Sequence, residues 1–122
     1  MIAISEAIVS AFQSYQTGNL LQAELICRQI LQQQPDNVEA LHLLAIIAHQ
    51  LGNLTEAIAY YQKTIALMPD YALLHYSLGS ALDSLGQLAD AIASYQKAIA
   101  LKPDYADAYY HLANAFKATL KA

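Results

Sequence analysis

The chain has 122 residues, room for one domain with a hydrophobic core and too little for a multi-domain enzyme. Apolar residues make up 57% and charged residues 13%, which excludes a disordered chain. A formal net charge of -4 with only six Lys and Arg excludes nucleic acid as a partner, because phosphates would meet repulsion rather than counterion release.

In chain order, the apolar opening from Met1 to Phe12 lacks the basic region of a secretory signal, since the first cation is Arg28. The lone Cys27 allows no internal disulfide and supplies too few ligands for a cysteine zinc site, which fits a reducing, cytoplasmic setting. The most apolar run, Ala40 to Ala48, is interrupted by His42 and is half the roughly 18 residues of a membrane span, so no membrane insertion is expected. Asn53, Leu54 and Thr55 match a glycosylation sequon but fall in a tight turn between helices, and the motif is discounted.

Pro35, Pro69 and Pro103 are spaced by 34 residues, and Gly18, Gly52 and Gly86 keep the same period. Proline and glycine punctuate helices for unrelated steric reasons, so two registers with one period define an internal repeat. Residues 72–105 match 38–71 at 16 of 34 positions, and residues 4–37 form a more divergent first copy. Within each repeat, spacings such as Leu88, Ala91, Ile92, Tyr95, Ala98, Ile99 and Leu74, Leu78, Leu82, Leu85 mark two apolar helical stripes. Gly86 stands where a helix C-terminus takes a left-handed residue, and Asp104 is placed to cap the following helix. A lone helix cannot bury such a stripe, so stacked hairpins must supply the core.

These residues resemble the tetratricopeptide repeat. Its pattern appears as His75-x2-Leu78-Gly79-x2-Leu82, Ala91-x3-Tyr95 and Pro103; the second repeat carries Leu41, Leu44, Ala45, Ala48, Ala57, Tyr61 and Pro69. The first repeat carries Ala7, Ser10, Ala11, Ser14, Ala23, Cys27 and Pro35, and a small residue at Ala45 and Gly79 lets paired helices approach closely. The resemblance implies an all-α, right-handed α-solenoid of antiparallel helix pairs, one domain over 1–122 with about seven helices. Its repeats are 4–37, 38–71 and 72–105, followed by a partial repeat or capping helix at 106–120. Residues 97–116 are similar to bacterial repeats and to the targeting domains of O-GlcNAc-transferase-like enzymes.

The second and third repeats agree at 14 of 20 positions over 52–71 against 86–105, but at 2 of 14 over 38–51 against 72–85. In the family the first helices line a concave groove, so the supporting layer repeats while the ligand-facing layer varies. The alternative, fewer packing constraints on first helices, stays open. The resemblance places Ser5, Ile8, Phe12 and Tyr15, then Glu39, His42, Ile46 and His49, toward the groove. Leu73, Tyr76, Ser80 and Asp83 follow, then Asp107, Tyr110, Asn114 and Lys117. This mixture suits a peptide or helix with apolar anchors. The family's clamp for an acidic C-terminus needs several groove cations, and only Lys117 is one, with Ile8 and Phe12 standing where that clamp wants a cation and an amide.

His42 and His49, two turns apart, are separated by roughly 10 Å and share no metal ion. His49 and Asp83 occupy equivalent places on neighbouring first helices, where coupling would make binding pH-sensitive; two uncoupled solvated groups are the alternative. His75 and His111 read as packing or surface residues, and Cys27 as core. No Gly-rich phosphate loop, nucleophile elbow or paired-His zinc motif occurs, so neither an enzyme nor a cofactor is expected. On the last helix Tyr109, Leu112, Ala113 and Phe116 lack a covering helix. A following helix in a longer protein, of which Met1 marks the N-terminal part, a second copy, or a makeshift cap are the three solutions. The functional expectation is a module binding a protein or peptide; the alternatives are a self-associating scaffold and the substrate-recruiting arm of a modifying enzyme such as a glycosyltransferase.

Overall fold

The computed structural model of the chain describes residues 3–121. It is all-α, with seven helices among the described residues: α1 (Ile4–Gln16), α2 (Leu20–Gln33), α3 (Val38–Gln50), α4 (Leu54–Leu67), α5 (Ala72–Leu85), α6 (Leu88–Leu101) and α7 (Ala106–Lys121). Two compact units divide the chain, Met1–Lys63 and Thr64–Ala122, with the boundary inside α4.

The helix ends follow from backbone chemistry. Gly18, Gly52 and Gly86 have φ of 84°, 81° and 88°, a left-handed conformation that a Cβ disfavours. After each glycine the chain closes the same bond: Asn19 N donates to Ser14 O at 2.8 Å, Asn53 N to Ala48 O at 2.8 Å, and Gln87 N to Leu82 O at 2.9 Å. These are Schellman closures, which satisfy carbonyls that the helix leaves without partners. At the helix starts, the Asn19 side chain accepts from Gln22 N at 3.2 Å and that of Asn37 from Ala40 N at 2.9 Å. The expected cap at Asp104 is displaced by one residue. Helix α7 begins at Ala106, and it is the Tyr105 carbonyl that accepts from Ala108 N and Tyr109 N.

In the first unit α1 packs on α2 and both pack on α3. Ala7, Ala11, Ile26, Ile30, Leu43, Leu44 and Ile47 form a buried cluster with Ala23 and Cys27. Cys27 is fully buried, and burial pushes its thiol up to about 11, so it stays neutral and fills space as expected. Arg28 ties the outer face of this unit together, reaching Glu24 at 3.3 Å, Glu56 at 3.0 Å and the Tyr60 hydroxyl at 3.2 Å.

In the second unit α5 packs on α6, and α7 packs on both. Leu74, Ala81, Leu82, Ala91, Tyr95 and Ala98 are buried, whereas Leu85, on the expected stripe, is exposed where α5 ends. His75 is buried and donates from Nε2 to Pro69 O at 2.7 Å, bracing the turn before α5. The tightest approach is at Gly79: a Cβ there would lie 2.7 Å from both Cδ1 and Cε1 of Tyr95. Tyr95 cannot yield, because its ring is wholly buried and its hydroxyl donates to Asp83 Oδ2 at 3.3 Å.

Gly79→Ala is therefore expected to destabilise the protein although alanine is the better helix former. Overpacking costs about 1–3 kcal/mol and the helix-propensity gain returns roughly 1. Urea denaturation measures the balance, and an unchanged or raised midpoint would show that the ring moves aside freely.

Candidate protein-interaction surface

The surface is described separately in each unit. In the second, Tyr76 on α5 is the centre of a group of rings. Its centroid lies 5.1 Å from Tyr105, 5.5 Å from His111 and 6.0 Å from Tyr95. His111 stacks on Tyr95 at 6.0 Å, and Tyr110 meets His111 edge-on at 5.4 Å. These separations are those of favourable aromatic pairs. The group orders side chains from α5, α6, α7 and the residue before α7.

Two carboxylates border the rings. Asp83 accepts the Tyr95 hydroxyl bond. Burial and the adjacent Asp83 charge hold the Tyr95 phenol well above the usual tyrosine range. Burial, then the charge of Asp107, raises Tyr76; burial, with Tyr76 and Asp107 beyond it, raises Tyr105. The Lys102 ammonium sits 4.8 Å from the Tyr105 ring centroid. Among the described residues neither Asp83 nor Asp107 makes an ion pair.

The residues assigned to a groove from sequence divide by exposure. Leu73, Tyr76, Ser80 and Asp83 are all half-buried along α5, whereas Asp107, Tyr110, Asn114 and Lys117 are all exposed along α7. Tyr110 is 66% exposed despite its ring contact, so most of its apolar area is not used in packing. In the first unit Ser5, Phe12 and Glu39 are exposed, and Ile8, Tyr15, His42, Ile46 and His49 are half-buried. Ile8 and Tyr15 lean on the buried cluster, and Gln50 Nε2 donates to the Tyr15 hydroxyl at 2.6 Å. Part of this α1 face is therefore committed to holding α3.

Three ring residues escaped the sequence-based assignment. Tyr105 precedes α7, outside any helix stripe; Tyr95 reads as core; His111 reads as packing or surface. The available signal was Tyr105 beside the paired Tyr109 and Tyr110. On the far stripe of α7, Tyr109 is 48% and Phe116 44% exposed and Ala113 is exposed, but Leu112 is half-buried. Leu120, not singled out from sequence, is 86% exposed.

Among the described residues no group of three or more His, Cys, Asp or Glu could hold a metal ion, and no helix is long and apolar enough to cross a membrane. His42 packs edge-on against Tyr61 at 6.3 Å, and its Nε2 is buried with no hydrogen-bond partner among the described residues. Burial lowers its pKa below the ordinary 6.5, as it does for His49. The neutral form is thus favoured in the folded state. The stability this confers is complete above 6.5 and is lost as pH falls through the depressed folded value. Thermal midpoints should fall between about pH 7.5 and 5.5, and His42→Phe should flatten the profile. An identical slope in that variant would remove His42 as the cause.

A model described as "TPR repeat" matches residues 47–86 and 79–119, and one described as "Tetratricopeptide repeat" matches 26–59. Among solved structures, a mutant O-GlcNAc transferase of Thermobaculum terrenum is similar at 35% identity and a TM-score of 0.85, over 94% of this chain and 23% of that one. A MamA protein is similar at 29% identity and 0.89, over 95% and 63%. The first TPR of Spaghetti (RPAP3), bound to an HSP90 peptide, shares the fold at 0.91 with 18% identity, over 96% and 93%. The present chain spans less than two thirds of the transferase and of MamA. Among curated proteins none matches. With the family models covering most of its length, the chain belongs to the tetratricopeptide repeat family.

Proposed function

We propose that residues 1–122 act as one domain that binds a peptide or helix of another protein, without chemistry of its own. Repeats of this family are typically non-catalytic interaction modules. The observation that carries the reading is the α5–α7 face, where Tyr110, Asp107, Asn114 and Lys117 stay exposed beside half-buried Leu73, Tyr76, Ser80 and Asp83. The α1–α3 face adds Phe12, Ile46 and His49. Exposed rings that lose few rotamers on binding make effective anchors. The peptide held by the RPAP3 repeat supports the choice of ligand class. A cytoplasmic setting goes with this reading, supported by the buried free thiol of Cys27.

Panning a displayed peptide library on the whole protein tests it. Enriched peptides are expected, and Tyr110→Ala, at an exposed site, should weaken them by about tenfold or more. No enrichment over an unrelated helical protein would defeat the reading.

A second reading, self-association, is favoured by the α7 stripe of Tyr109, Phe116 and Leu120, whose exposure leaves apolar area for another copy. Light scattering over a hundredfold concentration range checks it: a mass that grows and collapses to 13.3 kDa in Phe116→Ser is expected, and a concentration-independent mass of 13.3 kDa would end it. The transferase likeness supports a third role, the substrate-recruiting arm of a modifying enzyme.

A further inference from the structure

We infer that the partner segment is cationic, with a lysine or arginine side chain seated on the α7 edge of the Tyr105–Tyr76–His111–Tyr110 ring group and its charge facing Asp107. The inference rests on the peptide-binding reading and adds the chemistry of the ligand.

The rings follow one another at 5.1–5.5 Å from Tyr105 through Tyr76 and His111 to Tyr110, a connected aromatic group that is half-buried except for the exposed Tyr110. Aromatic faces carry negative potential and attract cations. The protein already uses that attraction, with the Lys102 ammonium 4.8 Å from the Tyr105 centroid. That lysine serves Tyr105; among the described residues no cation lies over Tyr76 or Tyr110, and Tyr110 is 66% exposed. Asp107 is exposed on the same α7 stripe, and its field reaches both Tyr76 and Tyr105. A carboxylate that makes no ion pair among the described residues, beside the exposed Tyr110 ring and the half-buried Tyr76 and Tyr105, complements a basic side chain and repels an acidic one.

Lys117 stands on the same stripe, ten residues and roughly 15 Å of helix from Asp107. It is beyond a Debye length at physiological salt and leaves the Asp107 end acidic.

Two blocked peptides of equal length and identical apolar content, one bearing three arginines and the other three glutamates, test the inference by calorimetry on the full chain. The arginine peptide should bind about tenfold or more tightly, as a cation–π contact and a partly screened ion pair together produce. Asp107→Asn should remove most of that preference, and raised salt should shrink it. Asp90→Asn, an equal charge change at an exposed site on α6, should leave it intact. Equal affinities, a preference for glutamate, or an equal loss in Asp90→Asn would overturn the inference. Library peptides enriched without excess Lys or Arg would defeat it while sparing the peptide-binding reading; no enrichment would defeat both.

Discussion

The contact between Gly79 and Tyr95 sets the geometry on which the second unit depends. With no side chain at 79, the α5 backbone comes so near the Tyr95 ring that a single Cβ would intrude to 2.7 Å. Two consequences follow from that approach. The Tyr95 ring is sealed from water, which makes its hydroxyl seek a partner and find Asp83 one turn further along α5. The ring also becomes the floor on which Tyr76 and His111 rest, so the spacing of one helix pair decides where an aromatic surface forms.

The equivalent position in the second repeat is Ala45, fully buried, with Tyr61 buried in the place of Tyr95. There the facing ring is met by His42, whose Nε2 is left buried and without a bond among the described residues. In the third repeat the corresponding first-helix residue is Tyr76, whose ring is flanked by Tyr105 and His111. One scaffold position thus carries a half-buried imidazole in one repeat and the hub of a ring group in the next. The supporting positions Ala23, Ala57 and Ala91 are each fully buried and nearly interchangeable. The second helices repeat more closely than the first although α3 and α5 bury more residues than α4 and α6, so the contrast between the layers does not follow from burial.

Charge completes the argument for the α7 face. Arg28 satisfies two carboxylates and a tyrosine hydroxyl on the outside of the first unit, where Arg28 and Glu56 are exposed and Glu24 half-buried, and such solvated ion pairs add little to stability. Among the described residues Asp107 and Asp83 have no such cation and border rings instead. A carboxylate left in that setting is better understood through what it attracts than through what it stabilises.

Much of this molecule was determined by its sequence alone. The 34-residue period, the helix ends after which Gly18, Gly52 and Gly86 take positive φ, the burial of Ala91, Tyr95 and Cys27 and the repeat family all follow from local sterics and helical periodicity, which act over a few residues. Tertiary structure alone decided the rest. It moved the α7 cap position from Asp104 to Tyr105, drew Leu112 half into the packing while leaving Leu120 bare, exposed Leu85, and gathered Tyr105, Tyr76, His111 and Tyr110 into one group. Those outcomes depend on distances between helices to a fraction of an ångström, and a pattern of residue types along one chain carries no such distances.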